Sequence, residues 1–174
     1  RRNRAVCDMF EPGSVFKIVA AAGALEEKRS REDEKFFCEN GSYRIASHVL
    51  HDHRSHGWLT FSEVIEQSSN IGTSKIAQKL GPAEFYRYIK LFGFGAKTGV
   101  DIPGEISGVA KNPRQWSKIS IATMPMGQEI GVTVLQLACA FSVIANGGTL
   151  MKPYLVSEVR DKYGEAIQEF KPQA

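Results

Sequence analysis

Glu11-Pro12-Gly13-Ser14-Val15-Phe16-Lys17-Ile18-Val19-Ala20-Ala21-Ala22-Gly23-Ala24-Leu25 is the stretch on which the reading of this chain turns. Pro12-Gly13 is a turn signal, and the Ala-rich apolar run behind it predicts a helix from about Ser14 to Glu27. Ser14 and Lys17 lie three apart at its start, hence on one helical face, where hydroxyl and amine can touch. That pair suits a nucleophilic serine with a lysine base, at a helix N-terminus whose amides favour developing negative charge. Spacing alone is weak evidence: random placement of 14 serines and 12 lysines among 174 residues yields about one such pair. The setting says more. Between Pro12 and Leu25, Lys17 is the sole ionisable side chain. It either snorkels to solvent or is partly buried, and burial lowers a lysine's pKa toward that of a usable base.

Downstream, the charged run Glu26–Lys35 reads as a solvated helix end and loop, followed by a flexible polar stretch to about Gly57. His48, His51, His53 and His56 lie in that stretch with no second ligand cluster beyond it, so no metal site is assigned. Thr60 and Glu63 form a capping box that opens the next helix. Ser68-Ser69-Asn70 interrupts it with three residues that prefer caps and turns. As a Ser-x-Asn unit, Ser68 and Asn70 can offer a hydroxyl for proton transfer and an amide for positioning; a plain helix-breaking turn is the bland alternative. Further helices are expected from Ile71 to Leu80, and from Pro82 at its first position to about Phe92.

Gly93 to Gln115 is mostly loop. It contains Lys97-Thr98-Gly99, a tripeptide that serine acyl enzymes use on a strand bordering their site. Here Val-Asp-Ile-Pro-Gly follows rather than strand residues, and the tripeptide reads as a decoy. Thr133 and Gln136 make a second capping box for a helix to Asn146, apolar nearly all round and so expected to be central and buried. YLVSEVR and EAIQEF flank Asp161–Gly164 as a β-hairpin.

Composition bounds the class. Hydrophobic residues are 43% and charged ones 24%, the mix of a globular domain. A net charge of +3 argues for no nucleic-acid partner, and Arg1, Arg2 and Arg4 read as a solvated terminus. Cys7, Cys38 and Cys139 are too few and scattered for a disulfide framework or zinc site. No apolar run is long enough to span a membrane, and the start on Arg rather than Met is read as that of an excised piece.

NRAVCDMFEPGSVFK, GWLTFSEVIEQSSNIG, LFGFGAKTGVDIPGE, MGQEIGVTVLQLACAFSVIANGG and PYLV occur in this order from residue 3 to about 156. Together they resemble the transpeptidase domain of class B, monofunctional penicillin-binding proteins, with a lean toward the cell-division type. The resemblance implies an α/β (α+β) architecture of the β-lactamase/transpeptidase kind, a helical cluster against an antiparallel sheet. It makes residues 1–174 a partial domain, truncated at both ends, mainly helical and lacking most of that sheet. It implies D,D-transpeptidation of peptidoglycan without a cofactor, and acylation by β-lactam antibiotics.

Carried over residue by residue, Ser14 is the nucleophile and a substrate contact, and Lys17 is its base. Ser68 relays a proton to the departing D-alanine, and Asn70 binds substrate and positions Lys17. The family's own Lys-Thr/Ser-Gly strand lies beyond the part resembling PYLV, so this piece alone is expected to be a poor catalyst or inert. The parent is expected at the cytoplasmic membrane with its catalytic domain on the outer, periplasmic side. Its partners there are expected to be peptidoglycan stem peptides, a membrane glycosyltransferase and division scaffold proteins. A β-lactam sensor, a β-lactamase or an inert structural module are the rival readings. Fast turnover of an acyl adduct marks the lactamase, and a long-lived adduct without transpeptidation marks the sensor.

Overall fold

A computed structural model describes residues 2–174; Arg1, counted above with the solvated terminus, lies outside the described residues. Among the described residues, seven α-helices and six short strands follow one another, with short 3-10 turns between them. The helices are α1 (Arg4–Cys7), α2 (Lys17–Glu26), α3 (Phe61–Glu66), α4 (Asn70–Leu80), α5 (Pro82–Leu91), α6 (Ser120–Thr123) and α7 (Val134–Ala145). The strands are β1 (Lys35–Phe37), β2 (Ser42–Ile45), β3 (His48–His51), β4 (Trp58–Thr60), β5 (Glu158–Arg160) and β6 (Ala166–Glu169). Each pairs antiparallel with one other: β1 with β4, β2 with β3, β5 with β6. The predominance of helix over strand and the β5–β6 hairpin are as the sequence predicts.

The core has α2 at its centre. One side of α2 puts Phe16, Val19 and Ala20 against Ala77, Leu80, Phe85, Ile89 and Met124. The other puts Ala21 and Ala24 in a second cluster with Phe61, Val64, Ile71 and Ile76. The small residues of α2 permit this close approach: a Cβ added at Gly23 would lie 2.9 Å from Leu80 and from Tyr88. Both capping boxes form, Thr60 with Glu63 and Thr133 with Gln136. Pro82 opens α5 after Gly81, as expected.

Three expectations are corrected. The predicted helix from Ser14 is a 3-10 turn, Gly13–Phe16, that passes into α2 at Lys17. The stretch from Lys35 to Thr60 carries four strands where loop was expected. They were hidden because each has only three or four residues, and because the β2–β3 turn places Ala46, not Gly or Asn, at a φ of 52°. Thirdly, α7 is not buried all round. Gln136, Ala140 and Val143 face the core, while Val134 is 53%, Phe141 44% and Ile144 52% exposed. Leu135, Leu137 and Cys139 are partly buried beside that stripe, so the exposed apolar side chains gather on the remaining face of α7. Among the described residues no helix is long and apolar enough to cross a membrane.

Candidate active site

Ser14 is exposed on the 3-10 turn, one turn ahead of Lys17. Four hydrogen bonds clamp that turn to the segment 127–132. Phe10 and Val132 exchange backbone bonds of 3.0 Å each, Gly13 N donates to Gly127 O at 3.4 Å, and Glu129 N donates to Glu11 Oε1 at 2.9 Å. Glu129 is itself held by Ser120 Oγ at 2.7 Å and by Thr123 Oγ1. The approach at Gly127 is so close that a Cβ there would fall 2.3 Å from Gly13 N and O. The serine thus sits on a backbone held against the 127–132 segment.

Lys17 resolves the choice between snorkelling and burial. It is 2% exposed, and its Nζ points across to the turn between α3 and α4. There it donates to Ser68 Oγ at 2.9 Å and to Ser68 O. Burial lowers the Lys17 pKa to about 8, and the Asp52 carboxylate opposes that shift. A lysine so placed is neutral in a large fraction of molecules at mildly alkaline pH, where a free one is almost wholly protonated. Ser68 is exposed and adopts a φ of +55°, in the left-handed region that ordinary side chains rarely occupy.

Asn70 opens α4 beside this turn. Its Nδ2 donates to His51 O at 2.8 Å, while the contacts to Lys17 Nζ come from Ser68. The structure therefore joins Lys17 to Ser68 directly, with Ser14 on the preceding helical turn and Asn70 two residues beyond Ser68. Lys97-Thr98-Gly99 is separate. It has no strand pairing, Thr98 and Gly99 are bonded to the Glu105 carboxylate, and the segment lines a cavity of about 310 Å³ with Gln136 and Cys139.

Sequence reasoning missed Asp52. It stands in the histidine-rich stretch just after β3, where no periodicity marks it, yet its carboxylate accepts from Ser69 Oγ, Asn70 N and Ile71 N. It also missed Gly127 and Glu129, which carry no motif chemistry and act only through the turn they hold. Among the described residues no three His, Cys, Asp or Glu side chains cluster as a metal site.

The sequence profile of the penicillin binding protein transpeptidase domain matches residues 1–174. The chain belongs to this family. PbpB of Mycolicibacterium smegmatis is 36% identical over 173 residues, covering 98% of this chain and 26% of that protein. A probable peptidoglycan D,D-transpeptidase, PbpC of Pseudomonas aeruginosa, is 37% identical over 99% of this chain and 30% of its own length. The crystal structure of penicillin binding protein 3 from Mycobacterium tuberculosis, complexed with ampicillin, superimposes with a TM-score of 0.90 at 36% identity, over 98% of this chain and 38% of that one. The transpeptidase fold expected from the quoted motifs is thus present. The chain spans about a quarter of the length of the curated relatives it matches.

Proposed function

We propose that the protein carrying this chain is a peptidoglycan D,D-transpeptidase that works through an acyl-serine intermediate on Ser14. The observation that carries the reading is the buried Lys17 amine, one helical turn from Ser14 and 2.9 Å from Ser68 Oγ. Neutral Lys17 takes the Ser14 proton as Oγ attacks the carbonyl between the two terminal D-alanines of a stem peptide. The first N–H groups of a helix have no intrahelical partner, so the Ser14 amide is one oxyanion donor. Ser68 relays the proton from Lys17 to the departing D-alanine nitrogen as the C–N bond breaks. Asn70 holds the substrate and keeps the Ser68 turn in register. An acceptor amine on a neighbouring strand then attacks the acyl carbon, gives up its proton and frees Ser14. A β-lactam opens its ring on Ser14, and its tethered leaving group blocks the incoming amine.

The names of the relatives support this reading, which extends the family assignment to substrate and reaction. The division-type lean of MGQEIGVT and IANGG extends it to a division role, with a membrane glycosyltransferase and scaffold proteins as partners. Anchoring in the cytoplasmic membrane, with this domain on the outer side, completes the reading. Residues outside this chain are proposed to complete the site with a Lys-Thr/Ser-Gly strand, since the tripeptide at Lys97 serves another loop.

The test is D-alanine release from a pentapeptide stem, with an acceptor amine present, by the full-length protein. Release is expected, and Ser14→Ala abolishes it. Release that survives Ser14→Ala would remove the assignment.

A further inference from the structure

We propose that Asp52 is a positioning residue of the acyl-transfer site, holding the Ser68–Asn70 turn in the conformation that presents Ser68 to Lys17. Three donors converge on its carboxylate. Oδ1 accepts from Asn70 N at 2.6 Å and Ile71 N at 3.0 Å, and Oδ2 accepts from Ser69 Oγ at 2.7 Å. The Ser69 hydroxyl in turn accepts from Gly72 N at 2.9 Å, so side chains from two elements satisfy the otherwise unpaired amides at the start of α4. Asp52 is fixed from behind, its own N–H donating to Gly41 O at 3.2 Å.

The geometry explains why such a clamp is needed. Ser68 sits at a φ of +55°, and a residue in that region stays there only when its surroundings over-determine it. From the α3 side, Ser68 N bonds Ile65 O at 3.1 Å and Ser69 N bonds Val64 O at 2.9 Å. From the α4 side the clamp is Asp52, on the segment between β3 and β4 that precedes both helices in the chain. Release of that side lets the turn relax, and Ser68 O and Oγ then leave Lys17 Nζ.

Asp52 also faces Lys17 as a charge. Among the described residues it is the acidic side chain whose field bears on Lys17, and it opposes the lowering of the Lys17 pKa by burial. The Cys38 thiol, to which the Ser69 hydroxyl comes within 3.4 Å, feels the charges of both Asp52 and Lys75, the latter from α4 and paired with Glu39; His51 and His53 flank Asp52 along the chain. Removal of the Asp52 charge therefore lets Lys17 lose its proton at lower pH, even as the turn loses its anchor. A residue that merely supported the fold would move the rate without moving this titration.

The proposal rests on the acyl-transfer reading of Ser14, Lys17 and Ser68, and two measurements on the full-length protein keep the two apart. The Lys17 side-chain titration, followed by NMR, needs no reaction. The rate of acylation by benzylpenicillin against pH reads the chemistry. For Asp52→Asn, the Lys17 titration and the acid limb of acylation are expected to move to lower pH. The plateau rate is expected to fall about tenfold or more. A Lys17 titration that does not move, or an acylation profile within about twofold of the parent at every pH, would overturn the proposal. Should Asp52→Asn fail to fold, Ser69→Ala removes one donor but keeps the charge. It is expected to slow acylation with the acid limb in place, and an unchanged rate would overturn the proposal. If the unsubstituted protein forms no adduct, the acyl-transfer reading fails, and the Lys17 titration in the two proteins still decides what Asp52 does.

Discussion

Lys17 is buried with its amine on Ser68, in a site where a charge is costly. A buried ammonium is unfavourable even with Ser68 as its partner, and the protein sheds part of that cost by lowering the Lys17 pKa to about 8. The sign of the stability effect follows. Between pH 8 and the ordinary lysine range the unfolded chain binds the extra proton, so stability rises with pH there, and the penalty is fully present below. Lys17→Met removes the penalty along with the base. Its Tm relative to the parent is expected to be most favourable below pH 8 and to lose ground as the pH rises. Acylation by a penicillin is expected to drop by about a hundredfold or more. Thermal scans at several pH values check the first, and adduct kinetics the second; a Tm difference independent of pH would mean Lys17 is not buried as an ammonium.

This residue was half legible in the sequence. Its isolation in an apolar run allowed both burial and snorkelling, and only the position of Ser68, 51 residues away in the chain, decides between them. Asp52 was not legible at all, because its donors, Ser69, Asn70 and Ile71, lie on a different element.

Elements with local signals were read well and those with tertiary causes were not. The capping boxes at Thr60 and Thr133, and Pro82 after Gly81, are chemistry within four residues, and each marks a helix start. The strands between Lys35 and Thr60 are too short for alternation to register, and α7 looks central from its composition while packing only one face. Gln136 shows how a local signal can also serve at distance: beyond capping α7, its Nε2 donates to Ala96 O at 2.7 Å and Ser107 O at 2.9 Å, tying down the glycine-rich loop.

The 3-10 turn that carries Ser14 is the element with most at stake. Gly127 has a φ of +83°, and an added Cβ would strike Gly13. Gly127→Ala is expected to cost about 1–3 kcal/mol of stability. It should slow acylation of Ser14 by about tenfold to a hundredfold, because the turn must move. Denaturant titration and adduct kinetics measure both, and an acylation rate equal to the parent's would show that the 127–132 segment does not set the position of Ser14.

At the scale of the whole molecule, apolar surface lies open on the far side of α2. Ile18, Ala21, Ala22, Leu25, Phe61, Ile65 and Ile144 line a groove of about 680 Å³, and Phe141 stands exposed on α7 beside Ile144 in the sequence. Patches of this kind mark surfaces that pack against something else. The relatives are roughly four times longer than this chain, and the ampicillin complex contains much structure outside the matched part. The Ser14–Lys17 and Ser68–Asn70 stretches lie on neighbouring turns of the core, where under the proposed function the rest of the protein would roof them.

Intact-mass spectrometry of the full-length protein after incubation with a penicillin tests whether Ser14 is the acylated nucleophile. A single adduct with the mass of the whole antibiotic is expected, located on Ser14 by peptide mapping and absent from Ser14→Ala. A folded protein that gains no mass, or an adduct on any other residue, would contradict that role.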